Sequence, residues 1–510
     1  MSGVALGQPG AARSLARKVA LSSGLNLVQQ AISVVSGIVV ARIVGPDVLG
    51  MLAYAAAFTG LFSALSDLGF GTAHIKRISE GQDLGQGMGM AWVSKIASLG
   101  LMSLVVLVTF WTSQQAVFAG AEQQLVFYLT LAGLVLTQLS LVPMTTLTAF
   151  QDVVRKDLPP TLLQVVNSGL RISLAVLGAG AVGLAGADAV TLLLLLGVYA
   201  WVLRGVPVRW PSLAVARSYA TFGAPMFAIA VVTSVGERLD RVLLESFDGL
   251  TAVGQYAAGM RVGSVLQFLS LAVAGMVFPS MARAFAEGRR DDAFALCGRA
   301  ERRLALVTLP LMLGAAALAR PLALLLLGAR FADTGPVIAF GTMAMIFQAL
   351  TQPYRQLLGG AGKTLVMVIG HVVLFGVQAG ALVLLLGGGG VPLLGIDRGA
   401  PAAAAAVAAA SLVAALAWRL LAVWALQARL DGRFAIHLVA GLGLYVLVSA
   451  AATVYGRELP TACLIAIVGV GLHLGALRLG GELGPAELSF LRDLVPSPVL
   501  RLARPVLHGS

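Results

Sequence analysis

Charge is what this chain has least of. Only 11% of its 510 residues are Asp, Glu, Lys or Arg, against about 25% in an ordinary soluble protein. Two cysteines, Cys297 in a predicted cytoplasmic loop and Cys463 in a predicted helix, leave no disulfide framework and no metal cluster. There is no HExxH and no P-loop, and His74, His371, His437, His473 and His508 are scattered rather than grouped. The predicted outer loops are short and almost free of Asp, Glu and His. A membrane polysaccharide polymerase or glycosyltransferase would carry its acid–base groups there, so an enzyme is disfavoured. The net charge of +12 is spread through loops without interleaved aromatics, which argues against nucleic acid. The first apolar run, from about Val19, is too long for a signal-peptide core and has no clear cleavage site, so it reads as a retained helix.

What fills the chain is apolar. Hydrophobic residues make up 58%, with sixty glycines and a mean hydropathy of +0.90. This is the composition of an all-α polytopic membrane protein in which glycine lets helices approach closely. A span needs roughly 20 apolar residues, and fourteen are predicted: 19–44, 50–75, 87–112, 125–150, 161–180, 183–203, 218–246, 251–282, 303–327, 335–358, 364–387, 400–427, 434–455 and 460–480. With the N-terminus in the cytoplasm, twenty-four of the 35 Lys and Arg fall in inner loops and tails, including Arg355 and Arg299. Only Arg330, Arg398 and Arg457 fall outside. By the positive-inside rule both termini are cytoplasmic. The predicted organisation is a cytoplasmic segment 1–18, a six-helix lobe 19–203, a basic linker 204–217 and a second six-helix lobe 218–427. Two further helices (428–480) and a basic tail (481–510) follow; the tail from Pro485 is either interfacial and amphipathic or frayed.

The stretch from Val39 to Gly81 organises the rest. It carries one helix through a Gly-Pro turn into a second, breaks that helix at Ser66-Asp67-Leu68-Gly69, and ends on Lys76-Arg77. A carboxylate and a glycine in a lipid-length helix cost stability and invite a functional explanation. A similar pattern recurs six helices later. LGMLAYAAAF (49–58) matches VGQYAAGMRV (253–262) around Tyr54 and Tyr256, and ARIVG (41–45) pairs with DRVLL (240–244). An even number of helices between copies makes the halves parallel repeats, a transporter architecture with cargo bound between the halves.

Three segments carry a resemblance. ARIVGPDVLGMLAYAAAFTGLFSALSDLGFGTAHIKR, FGAPMFAIAVVTSVGERLDRVLLESFDGLTAVGQYAAGMRV (222–262) and, more weakly, LLGGAGKT (357–364) resemble the polysaccharide-export branch of the superfamily that also holds MATE exporters and the lipid II flippase. The likeness covers helices 1–12. It implies a flippase for undecaprenyl-diphosphate-linked oligosaccharides in a bacterial inner membrane, serving surface or extracellular polysaccharide synthesis alongside a polymerase and chain-length proteins. The competing expectations are an ion-coupled MATE-like exporter of cations and, from another class, a membrane enzyme of the same pathway.

Ionisable residues inside the membrane are the best functional candidates independently of family. A diphosphate needs cationic partners, and Arg matches phosphate oxygens in bidentate geometry. Arg261 and Arg171 are expected deep in helices 8 and 5, facing a cleft. Arg42 and Arg241 are expected near the outer ends of helices 1 and 7 as repeat counterparts, and Lys95 two turns into helix 3; for these three, ion pairing or snorkelling competes with a cleft role. Asn26, Gln29, Gln30 and Gln267 either bridge helices or meet sugar hydroxyls. Glu237 and Arg241, spaced i,i+4, predict a salt bridge, leaving Asp240, alone or with Glu237, for a coupling H⁺ or Na⁺. Asp67 is either a proton site or the cap of the restarting helix. Asp188 is expected near the outer surface. No cofactor and no metal are predicted.

Overall fold

A computed structural model of the chain describes residues 9–113, 116–264, 281, 284, 287–388, 390–391, 396–427, 432, 434–455, 458–484, 487 and 489. Among the described residues the regular structure is helix apart from a two-residue antiparallel pairing of Gly390–Val391 with Ile396–Asp397. In order the helices are α1 (Pro9–Val44), α2 (Pro46–Gly60), α3 (Phe70–Ser79), α4 (Leu84–Ser113), α5 (Ala121–Ala149), α6 (Val153–Val176) and α7 (Gly180–Val202). They continue as α8 (Leu213–Ser264), α9 (Arg290–Leu322), α10 (Gly335–Gly360), α11 (Thr364–Gly387), α12 (Ala400–Leu426), α13 (Phe434–Tyr455) and α14 (Leu459–Leu479). Among the described residues, ten helices are long and apolar enough to cross a bilayer, and two bent pairs bring the number to twelve. The predicted span 251–282 runs into residues outside the described set. The predicted span 161–180 is α6, whose Arg155, Lys156, Asp157 and Arg171 lower its hydropathy.

Two predicted loops are helix instead. Residues 290–303, read as a basic loop because of Arg299, Arg302 and Arg303, form the start of α9, with Cys297 buried in it. Arg355 lies inside α10, not in a loop. Charges on one face of a helix that extends beyond its apolar span look like a loop when only hydropathy is followed. The amphipathic segment predicted from Pro485 lies, but for Glu487 and Ser489, outside the described residues.

Two glycine turns set the architecture. Gly45 adopts φ 83° between α1 and α2, a conformation that favours glycine, and Pro46 follows at the first helical position where its missing N–H costs nothing. Gly249 adopts φ 76° within α8. The chain reverses there: the Tyr256 hydroxyl donates to Asp240 Oδ2 at 2.5 Å across a separation of 16 residues, which in a straight helix would be about 24 Å. The two hairpins cross at glycines. A Cβ on Gly50 would stand 1.9 Å from the Leu250 carbonyl, and one on Gly254 would stand 1.9 Å from that of Pro46. This reciprocal contact makes Gly50 the counterpart of Gly254 and Gly45 that of Gly249. The register of the repeat is therefore set by these glycines, not by Tyr54 and Tyr256. In that register Gly37, and not Arg42, is the counterpart of Arg241.

Apolar packing runs across this crossing, with Met51 and Tyr54 of α2 in one buried cluster with Leu244, Val253 and Tyr256 of α8. Phe58, Phe110, Phe118 and Phe127 cluster on the α2–α4–α5 side, with Phe110 and Phe127 stacked at 4.0 Å. The alanine run of α12 is almost wholly buried, letting it lie close against α10. Helices α13 and α14 pack on α9.

Candidate functional site

Two adjoining cavities lie on either side of the hairpin crossing. The first, about 550 Å³, is lined by α1, α2, α5, α6 and α7. The second, about 770 Å³, is lined chiefly by α8, α10, α11 and α12. Arg238 and Arg261, with Ala53, Ala56 and Ala257, line both, so these two guanidinium groups stand where the cavities meet.

Each junction arginine lies over a glycine of the other half. Around Gly37 of α1 the space a Cβ would take is filled by the Arg261 guanidinium and Cδ. Gly60 of α2 leaves room for Arg238 in the same way. Among the described residues Arg261 makes no ion pair and no side-chain hydrogen bond, although the charges of Arg171, Asp188 and Arg241 act on it. Arg238 reaches the Ser234 carbonyl at 3.0 Å and the Glu237 carboxylate at 3.7 Å.

The other predicted cations fare differently. Arg171 lines the first cavity but is neutralised: its Nη1 lies 2.9 and 2.7 Å from the two oxygens of Asp188. Asn167 donates to the same carboxylate at 3.0 Å, and the Thr191 hydroxyl donates to Asn167 Oδ1 at 3.2 Å. Asp188, expected at the outer surface with no special role, is thus the partner of Arg171 and faces the cavity. Arg241 lines the second cavity; its Nη1 donates to the Glu237 backbone carbonyl at 3.1 Å and stands 3.6 Å from Asp240. The predicted Glu237–Arg241 side-chain bridge does not form, because Glu237 turns to Arg238. Asp240 is buried and doubly engaged, accepting from Tyr256 and, at 2.8 Å, from the Arg241 backbone N–H.

Lys95 and Asp67 leave the cleft altogether. Lys95 Nζ donates to Asp67 Oδ1 at 2.8 Å and to the Ser66 carbonyl at 2.9 Å. Asp67 also accepts from the Gly71 backbone N–H at 3.2 Å, capping α3 after the break. The cost of opening the helix between α2 and α3, which meet at 59°, is offset by this pair, not used for cargo. Arg42 lines neither cavity; it donates to the Leu325 carbonyl at 2.9 Å across the two halves. Of the polar candidates, Gln29 lines the first cavity and Gln30 the second, Asn26 is exposed outside both, and Gln267 lies outside the described residues.

Sequence reasoning missed the wall of the second cavity. Gln348, Thr351, Gln352 and Arg355 form a polar stripe at helical spacing on α10, opposed by His371 and Gln378 at i,i+7 on α11. That stripe was the available signal. Arg355 Nη2 lies 3.2 Å from His371 Nε2, and its guanidinium stands 5.8 Å from the Trp418 ring. The lining charges of the two cavities are five arginines (171, 238, 241, 261 and 355) against Asp188, Glu237 and Asp240.

This is the two-lobed helical fold of the transporters and flippases of the MOP superfamily. The chain is similar to a solved lipid II flippase, MurJ, in an inward closed conformation, with a TM-score of 0.70 at 13% identity, over 93% of this chain and 99% of that one. It is also similar to an inward-facing multidrug-resistance MATE family transporter (TM-score 0.61, 18% identity, 78% of this chain and 95% of that one). An outward-facing MATE transporter matches with a TM-score of 0.56 at 16% identity, over 81% and 96%. No curated protein matches by sequence. Residues 39–336 match the family described as polysaccharide biosynthesis protein, and the chain belongs to that family. The solved relatives are transporters and a flippase, not enzymes.

Proposed function

We propose that the protein moves undecaprenyl-diphosphate-linked oligosaccharides across a bacterial inner membrane, from the cytoplasmic to the periplasmic leaflet, by alternating access between its two halves. The observation that carries this is Arg261: a guanidinium without an acidic partner among the described residues, at the meeting of two cavities. An unpaired charge away from bulk water is costly, and an acidic headgroup passing between the halves gives it a use. The surplus of arginine over carboxylate in the cleft disfavours an exporter of small cations.

The termini lie in the cytoplasm, where the basic loops and tails gather. The hairpin crossing at Gly50 and Gly254 then closes the periplasmic side, and cargo enters from below. Each negative charge moved outward gains about 2.3 kcal/mol per 100 mV of membrane potential. A polymerase and chain-length proteins receive the product.

Arg261→Ala abolishes export in a flippase-null strain while the protein remains at wild-type level in the membrane; full complementation removes Arg261 from the site. Coupling to H⁺ or Na⁺ through Asp240 predicts that transport into proteoliposomes stops when the gradients collapse. Unchanged transport ends that idea.

A further inference from the structure

Arg355 is the second cation of the cleft with no acid in bonding distance among the described residues. We propose that it selects for glycans carrying an acidic sugar: the diphosphate is held at Arg261, while a carboxylate further along the glycan is held at Arg355. This rests on the flippase function proposed above.

Depth separates the two positions. The Arg261 guanidinium lies against Gly37, eight residues from the Gly45 turn, or about 12 Å along α1 at 1.5 Å per residue. Arg355 meets His371, sixteen residues from the Gly387 end of α11, or about 24 Å down. Those ends share a level, because Gly387 borders Phe247 beside the Gly249 turn and the two hairpins cross at Gly50 and Gly254. The cations therefore differ in depth by about 12 Å. Two phosphates joined through one oxygen are too compact to serve both, so two positions this far apart suit two separate anionic groups on one cargo.

The surroundings of Arg355 suit a sugar acid more than a structural ion pair. Among the described residues it has no carboxylate within bonding distance; its polar partner is the ring of His371. Of the neighbouring acids of the cavity, Asp240 is committed to Arg241 and Tyr256, while Glu237 stands 3.7 Å from Arg238 and its charge reaches Arg355 without a hydrogen bond. Arg355 shares its wall with amides that suit hydroxyl groups. Gln378 and Gln348 donate through Nε2 to the Gly236 carbonyl (3.1 Å) and the Ser411 hydroxyl (3.3 Å), which leaves each Oε1 as an acceptor. Gln352, one turn before Arg355, makes no hydrogen bond among the described residues. Phe375, His371 and Trp418 form an aromatic run beside the guanidinium, holding it at the wall.

The test is a proteoliposome assay with two undecaprenyl-diphosphate-linked disaccharides, one ending in a hexuronic acid and one in the corresponding neutral hexose. The wild-type protein transports the acidic cargo at least tenfold faster, and Arg355→Gln brings the acidic-to-neutral ratio to about one. Gln352→Glu, which sets a carboxylate beside Arg355, lowers the ratio in the same direction and covers the case in which Arg355→Gln fails to fold. Arg355→Lys keeps part of the preference. A wild-type ratio near one, or a ratio retained in both Arg355→Gln and Gln352→Glu, overturns the assignment. Failure of the wild-type protein to move either lipid overturns the flippase function itself, a distinguishable result.

Discussion

The break between α2 and α3 and the junction between the cavities both hold charge inside the membrane, and they use it in opposite ways. At the break, Lys95 is 4% exposed and closes on Asp67, and Asp67 caps α3. The charges cancel and no sizeable cavity adjoins them. At the junction, Arg261 has space on both sides and, among the described residues, no acid in bonding distance. An intramembrane charge is a functional candidate by default, but only the second place combines a surplus charge with room for something to neutralise it. Arg171 stands between these cases, facing a cavity but already paired with Asp188.

Substitutions can sharpen that contrast. The largest effect on stability is expected at the break. Lys95→Met leaves Asp67 without its partner and costs about 3 kcal/mol, the low end for a broken buried pair because the Asp67 side chain keeps 29% exposure. Thermal unfolding in detergent should show this, with the Lys95→Met/Asp67→Leu double variant recovering about half, since the cap on α3 is still lost. Equal loss in the single and double variants would mean the pair does not act as a unit. Arg171→Gln comes next, at about 1–3 kcal/mol, because Asp188 keeps only the Asn167 bond; the same melts check it. Asp240→Asn keeps an acceptor for Tyr256 but removes the charge opposite Arg241. It should slow lipid transport about threefold with little change in melting, as expected for one charge-assisted contact of modest worth. Arg42→Ala is the smallest, at about 1 kcal/mol for one hydrogen bond to a carbonyl, with complementation unaffected; a null phenotype would bring Arg42 into the transport path.

The polytopic helical class and the Gly-Pro turn at Gly45 were legible in the sequence, since each follows from local composition. Partners distant in sequence were not. Lys95 meets a carboxylate 28 residues away, and Asp188 meets Arg171 across two helices, so neither neutralisation leaves a local trace. Arg355 was lost because a charge near the end of an apolar run looks like loop. The spacing of Gln348, Gln352 and Arg355 on one helical face was the clue that it was not. The repeat was visible but out of register, since Tyr54 and Tyr256 stand in similar local sequence while the contact between Gly50 and Gly254 exists only in the fold. Arg238 was passed over because the i,i+4 spacing in its turn paired Glu237 with Arg241 instead; its bed on Gly60 depends on the fold.

The central claim is that the unpaired guanidinium of Arg261 takes the acidic headgroup. Titration of the purified protein with undecaprenyl diphosphate and with uncharged undecaprenol tests it most directly. The wild-type protein should bind the diphosphate at least tenfold more tightly, about 1.4 kcal/mol, and Arg261→Gln should erase that difference while melting at the wild-type temperature. Equal affinity of the wild-type protein for the two lipids, or an undiminished preference in Arg261→Gln, would contradict the account.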